Sequence, residues 1–267
     1  MGHWTRRSLV RTAMVFSAAM VLCPSGLPLA QSQQVPLHQP SPVRSKAEDN
    51  SFKFKAYGVF RDMIVQRNYA PVVQLKNAID ASTTDAVGAL SGLRGEISMI
   101  EGRLIVSYGA ECITECPSAI DESATLLATA TAPRWRSIRV DKDMDGLATE
   151  AFIREQAKAN GLDENKPFPF RFSGALINFT MHINAAPNPR FQGHGSFDEM
   201  ALTGLSKGPR IAGFVVGFYA PPALQGVITH MGSFFHSHYV DEQRKLTAHL
   251  DAFGIAAGST LLLPQPQ

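Results

Sequence analysis

The chain has 267 residues, 45% hydrophobic and 18% charged, which gives it ample apolar side chain for a large core and excludes a disordered polymer. Its net charge of +2 comes from the N-terminus: Arg6, Arg7 and Arg11 lie in the first 30 residues, which hold no acidic side chain, and the rest carries 22 basic against 23 acidic residues. That balance leaves no electrostatic footprint for nucleic acid.

In chain order, the first segment is an export signal. A basic stretch (Arg6, Arg7, Arg11) precedes an apolar run from Thr12 to Cys23, and Pro24, Ser25 and Gly26 lead to a cleavage point near Ala30. The run of about 12 residues is short of the roughly 20 a spanning helix needs, so no stable membrane anchor is expected. Residues 1–30 are therefore read as a signal peptide and the mature protein as periplasmic or secreted. Residues 31–50 are polar and Pro-rich, a flexible leader. After cleavage two cysteines remain, Cys112 and Cys116. In an oxidising compartment so close a pair reads as a disulfide closing a small loop, with two free thiols as the alternative.

Order is expected from Ser51. FKFKAYGVFRDMI alternates and then turns helix-like, and Ala70–Ile79 reads as a short helix. EISMI and RLIVS flank Glu101-Gly102 as a hairpin. Thr149–Asn160 is an amphipathic helix with Thr149 as candidate cap and Gly161 as stop. Lys166-Pro167 and Phe168-Pro169 mark a junction, beyond which strand-like runs separated by Gly, Pro and Asn dominate. The reading is an α+β protein of two sheet-based lobes with mixed or antiparallel strands and a few helices. The N-terminal lobe spans 51–165 and the metal-binding C-terminal lobe 166–267. Asp141–Gly146 (DKDMDG) begins like a calcium loop, but its twelfth position is Phe152 rather than a bidentate Glu, so a solvated acidic loop is the expectation.

The chemistry lies in Gly232–Asp251. His236 and His238 are one residue apart, so on a strand both imidazoles project from one face. His249 follows eleven residues after His238, and a turn through VDEQRKLT brings it alongside on an antiparallel neighbour. Three neutral imidazoles with an open position have the composition of a catalytic zinc site, although copper, iron and nickel also accept imidazole. Six of the eight histidines lie between 182 and 249.

This spacing resembles the α-acetolactate decarboxylase family. FKFKAYGVFRDMI, YAPVVQLKNAI, the GLRGEISMIEGRLIV hairpin, GFVVGFYAPPALQGV and HLDAF follow in the family's order. The resemblance implies decarboxylation of 2-acetolactate to acetoin, Zn2+ held by His236, His238 and His249, and Glu96 as the proton donor. It also implies a small-molecule substrate as the partner, with a homodimer as a possible assembly. Three positions depart from the family pattern. The family arginine eight residues after the glycine of its GTF strand is His182 here, counted from Gly174. The aspartate of LDGE is Arg94. The family glutamate from a C-terminal extension has no counterpart, since no acidic residue follows Asp251. His182 is expected to face the metal as a partial stand-in for the arginine, and Arg94 to be a candidate for the lost positive charge. The alternatives are a decarboxylase or lyase acting on another hydroxy-keto acid and a metal-binding relative without activity.

Overall fold

The computed structural model describes residues 52–79, 84–109, 118–194, 197–243 and 245–265. The segments read as an export signal and a leader, and the Cys112–Cys116 pair read as a disulfide, lie outside the described residues.

Two six-stranded sheets face one another. The first is built from β1 (Lys53–Tyr57), β2 (Val73–Gln74), β3 (Thr84–Leu90), β4 (Gly95–Ile100), β5 (Arg103–Tyr108) and β6 (Ser123–Thr131), in the order β1-β6-β3-β4-β5 with β2 also on β6. The second holds β7 (Trp135–Arg139), β8 (Phe168–Pro187), β9 (Ala201–Tyr219), β10 (Phe235–Asp241), β11 (Leu246–Ile255) and β12 (Thr260–Pro264). All recorded strand pairings are antiparallel. Among the described residues the α-helices are α1 (Phe60–Val65), α2 (Leu75–Ala78), α3 (Gly146–Ala159) and α4 (Phe197–Met200). The α+β class read from the sequence is the observed one.

The lobes divide earlier than the Pro-rich junction suggests. β7 pairs with β12, and Ile153 and Ala157 of α3 join the core of the second sheet. The passage between sheets therefore lies between β6 and β7, not near residue 165. The prolines at 167 and 169 mark only the start of β8. Pro at a strand's beginning needs no ladder hydrogen bond, which is why this punctuation does not separate lobes. The proposed helix over Ala70–Ile79 is shorter, with β2 occupying Val73–Gln74. The cap of α3 is Asp145, whose carboxylate accepts from Ala148 N at 2.8 Å; Thr149 is buried inside the helix. Gly161 ends it at φ +80°. Asp143 accepts from Ala257 N at 2.7 Å, so two acidic side chains of the calcium-like loop are engaged by backbone amides.

β8 is long enough to pair on three fronts. It lies along β9 over its length, meets β12 near its start and β11 along its middle, from Leu176 to His182. Because β9 also pairs with β10 and β10 with β11, the strands β8, β9, β10 and β11 close on themselves. Val87, Ala128 and Ala130 of the first sheet pack against Val216, Phe218 and Val240 of the second. Inside this layer the Arg171 guanidinium forks onto Asp85 at 2.6 and 2.7 Å, reaches Glu101 at 2.8 Å, and lies 4.0 Å above the Trp135 ring centroid. Removing one partner of such a pair strands a buried charge. Asp85→Ala is therefore expected to lower unfolding free energy by about 3–5 kcal/mol, read from urea denaturation. An exposed pair such as Arg139–Asp141 is expected to be worth under about 1 kcal/mol.

Candidate metal centre

Register brings three histidines into one row, and a fourth lies beside them on the same face. His238 of β10 sits opposite His249 of β11, and His249 sits opposite His182 of β8. His236 shares the face of His238 by the two-residue period of a strand. All four are at least 92% buried. The ligating atoms of His236, His238 and His249 lie within 4.8 Å of one another, and they are the one such group of His, Cys, Asp or Glu among the described residues.

Hydrogen bonds fix which nitrogens are available. His236 Nδ1 is 2.8 Å from the carbonyl of Ile228, which can only accept, so Nδ1 carries the proton and Nε2 the lone pair. For His238 the direction is set by a relay. Thr247 donates its hydroxyl to the Tyr239 carbonyl at 3.0 Å, so it accepts from Ser98, and Ser98 in turn accepts from His238 Nδ1 at 3.0 Å. His238 Nε2 thus also presents a lone pair. The two Nε2 atoms face each other at 3.2 Å. Two lone pairs at that distance repel unless a cation lies between them. Two zinc ligands at about 2.0–2.1 Å and a tetrahedral angle sit about 3.3 Å apart. The donor set and its spacing therefore fit a zinc-type ion. Burial and the neighbouring His230 push His236 down to about 3, and burial with neighbouring imidazoles holds His238 and His249 well below the ordinary histidine value. All three stay neutral, as ligands must.

The first sheet supplies the wall opposite. Glu96 of β4 is 1% exposed, and its Oε2 lies 3.7 Å from His238 Nε2. Its Oε1 accepts two donors from Asn184 on β8, the backbone N–H at 3.1 Å and Nδ2 at 2.6 Å. A side chain at Gly95 would strike the Ser107 carbonyl and one at Gly109 the Asn184 carbonyl, so glycine at both positions permits the close backbone approach around Glu96. Burial raises the Glu96 carboxyl to about 8, against the opposing pull of His182 and Asn184. With Oε1 accepting two hydrogen bonds, the proton of the neutral acid resides on Oε2, toward the histidines. Phe60, Met63, Ala89 and Leu126 complete an apolar rim around Glu96, Asn184, His236 and His249.

His182 is at the site, its ring 4.9 Å from that of His249, and its Nδ1 is 2.7 Å from Asp251 Oδ1. Asp251 is the extra residue of a bulge: Leu250 and Ala252 pair with the adjacent residues Met181 and Thr180. Arg94 does not join the site. A tight turn over Ser91–Leu93 with Gly92 and Leu93 at positive φ directs it to Glu122 at 2.6 Å and the Ser91 carbonyl at 3.1 Å, and it is not among the pocket-lining residues. Beside the five of the six sequence candidates that meet here, the structure adds Asn184, Asp251, Ser98, Thr247 and His230, whose ring stacks on Phe60 at 4.5 Å.

A family model described as alpha-acetolactate decarboxylase matches residues 64–262. The chain belongs to that family. Among solved structures, the alpha-acetolactate decarboxylase from Bacillus subtilis strain 168 is similar with 14% identity and a TM-score of 0.60, covering 80% of this chain and 86% of that one. The acetolactate decarboxylase from Bacillus subtilis subspecies spizizenii matches at 15% identity and the same TM-score of 0.60, over 80% and 86% of the two chains. A Staphylococcus aureus protein of unknown function, similar to alpha-acetolactate decarboxylase, shows 17% identity and a TM-score of 0.57 over 79% and 84%. At these identities the structures establish a shared fold. A search of curated proteins gives no match.

The depressed histidines and the raised glutamate act in opposite senses on stability. The unfolded chain binds more histidine protons below about 6.5, so that part of the stability is present above about 6.5 and is lost as pH falls toward the folded values. The Glu96 part is present below its unfolded value near 4.5 and is lost as pH rises through about 8. Between about 4.5 and 6.5 three histidines outweigh one glutamate. The metal-free protein is therefore expected to lose urea resistance as pH is lowered across that window, and His236→Gln to flatten the slope.

Proposed function

We propose that the protein is a zinc-dependent decarboxylase of 2-acetolactate that releases acetoin, and that it works in the periplasm or outside the cell. The observation that carries the reading is the carboxyl of Glu96, whose Oε2 lies 3.7 Å from His238 Nε2 where ring nitrogens of three neutral imidazoles converge. The export arm rests on the basic–apolar–small pattern of residues 1–30.

His236, His238 and His249 would hold the ion, which as a Lewis acid supplies stabilisation for the negative charge that builds on the ketone oxygen as carbon dioxide leaves. Loss of carbon dioxide leaves an electron pair on the carbon that bore it. Glu96 delivers the proton from Oε2 to that carbon and is reprotonated from solvent. Asn184 fixes the orientation of the acid by engaging Oε1. The apolar rim of Phe60, Met63, Ala89 and Leu126 excludes water from the face where the proton arrives. Burial that holds Glu96 near about 8 keeps it protonated at neutral pH, the state an acid catalyst requires.

A second reading, decarboxylation of a different hydroxy-keto acid, is favoured by one observation. The residue in the family's arginine position is an imidazole whose Nδ1 is engaged by Asp251, and it offers no bidentate fork for a carboxylate.

Acetoin release from acetolactate, abolished by a chelator and restored by Zn2+, is the expected result. Glu96→Gln is expected to lose about 10²–10⁴-fold in turnover while binding zinc as before, because it removes a proton and not a ligand. His182→Arg is expected to raise acetolactate turnover. Full activity in Glu96→Gln would remove the proposed acid. A dead, zinc-loaded His182→Arg together with no acetoin from the wild type would favour the second reading.

A further inference from the structure

Asn184 has a second hydrogen-bonding end that the fold leaves unused. It follows His182 by two residues on β8, shares its face and is 2% exposed. Its Nδ2 donates to Glu96 Oε1 at 2.6 Å, which leaves the amide oxygen pointing the other way. That Oδ1 is buried and has no hydrogen-bond partner among the described residues. Asn184 lines the same pocket as Glu96, His236 and His249. A buried acceptor without a partner is costly, and native proteins seldom keep one without a use.

The surrounding groups say what would fill it. The lone pairs of His236 and His238 are directed at the metal position, Glu96 Oε2 offers the catalytic proton, and His182 Nδ1 is held by Asp251. A ligand that places an oxygen on the metal and carries a hydroxyl hydrogen beside it would find its acceptor in Asn184 Oδ1. We propose that Asn184 is a specificity-determining residue that accepts a hydrogen bond from a hydroxyl of the bound ligand, so that the site selects 2-hydroxy compounds over those lacking the hydroxyl hydrogen. This rests on the metal-dependent reading above and deepens it by naming the group the substrate must carry.

The test is a binding cycle that needs no turnover. Calorimetric dissociation constants of 2-hydroxyisobutyrate and 2-methoxyisobutyrate are measured on the zinc-loaded wild type, Asn184→Ala and Asn184→Asp. Both variants are first checked for an unchanged thermal melt. In the wild type the hydroxy compound should bind more tightly. Asn184→Ala should shrink that preference by about tenfold, the scale of one buried hydrogen bond. Asn184→Asp, which keeps an oxygen in place, should retain most of it. Charge effects on the two anionic probes cancel in the ratio. The same preference in all three proteins, or no binding of either probe to the wild type, would overturn the proposal. If Asn184→Ala does not fold, the Asp variant decides: loss of the preference there counts against the proposal, and retention supports it. A wild type that shows the Asn184-dependent preference and releases no acetoin would overturn the proposed function alone.

Discussion

Two imidazole lone pairs held face to face at 3.2 Å between two sheets are the constraint on which the rest of this structure depends. Each is held by a different part of the fold. The Ile228 carbonyl, from the turn before β10, sets the tautomer of His236. The relay Ser98–Thr247–Tyr239 sets that of His238, and it crosses from the first sheet to the second. Docking of the sheets therefore does more than bury apolar surface. It determines which nitrogen of His238 is basic, and it does so through hydroxyl groups that have only one proton each to give. The buried Arg171–Asp85 pair and the layer of Val87, Ala128, Val216 and Phe218 hold the same two sheets in that register.

The closed circuit of β8 to β11 explains why the site can be both polar and dry. Each histidine backbone is paired in a ladder, so only side-chain atoms are left to satisfy, and these point at one another across the gap. Glu96 comes from the other sheet, so under the proposed function the group that gives the proton is separate from the strands that carry the histidines. Glu96 is raised by its burial, whereas the histidines are lowered by theirs, so one desolvated environment yields a neutral acid next to neutral bases. That combination is what protonation of a carbon beside a metal requires.

The sequence discloses the three-histidine group because a strand's two-residue period and a short antiparallel return are local rules, and they predict the face shared by His236, His238 and His249. Glu96 and His182 follow from the family pattern and not from spacing. The same period carried one step further reaches Ser98 from Glu96, Asn184 from His182 and Thr247 from His249. What it does not supply is which sheet those faces meet, a matter of packing. Asp251 illustrates the limit: a bulge re-aims its carboxylate onto His182, and a bulge is set by pairing with β8, 69 residues away in sequence. Arg94, which stands at the aspartate of the family's LDGE, is a candidate in the sequence for the lost positive charge, but two successive residues at positive φ turn it toward Glu122. The prolines that begin β8 read as a lobe boundary in the sequence, since nothing local to β7 shows that its partner is β12, the last of the described strands.

X-ray absorption at the zinc edge of the zinc-loaded protein tests the central claim most directly. Three imidazole nitrogens and one light oxygen ligand are expected at about 2.0–2.1 Å, with one imidazole lost in His249→Ala. A first shell holding sulfur, or fewer than three imidazoles in the wild type, or a spectrum unchanged by His249→Ala, would contradict it.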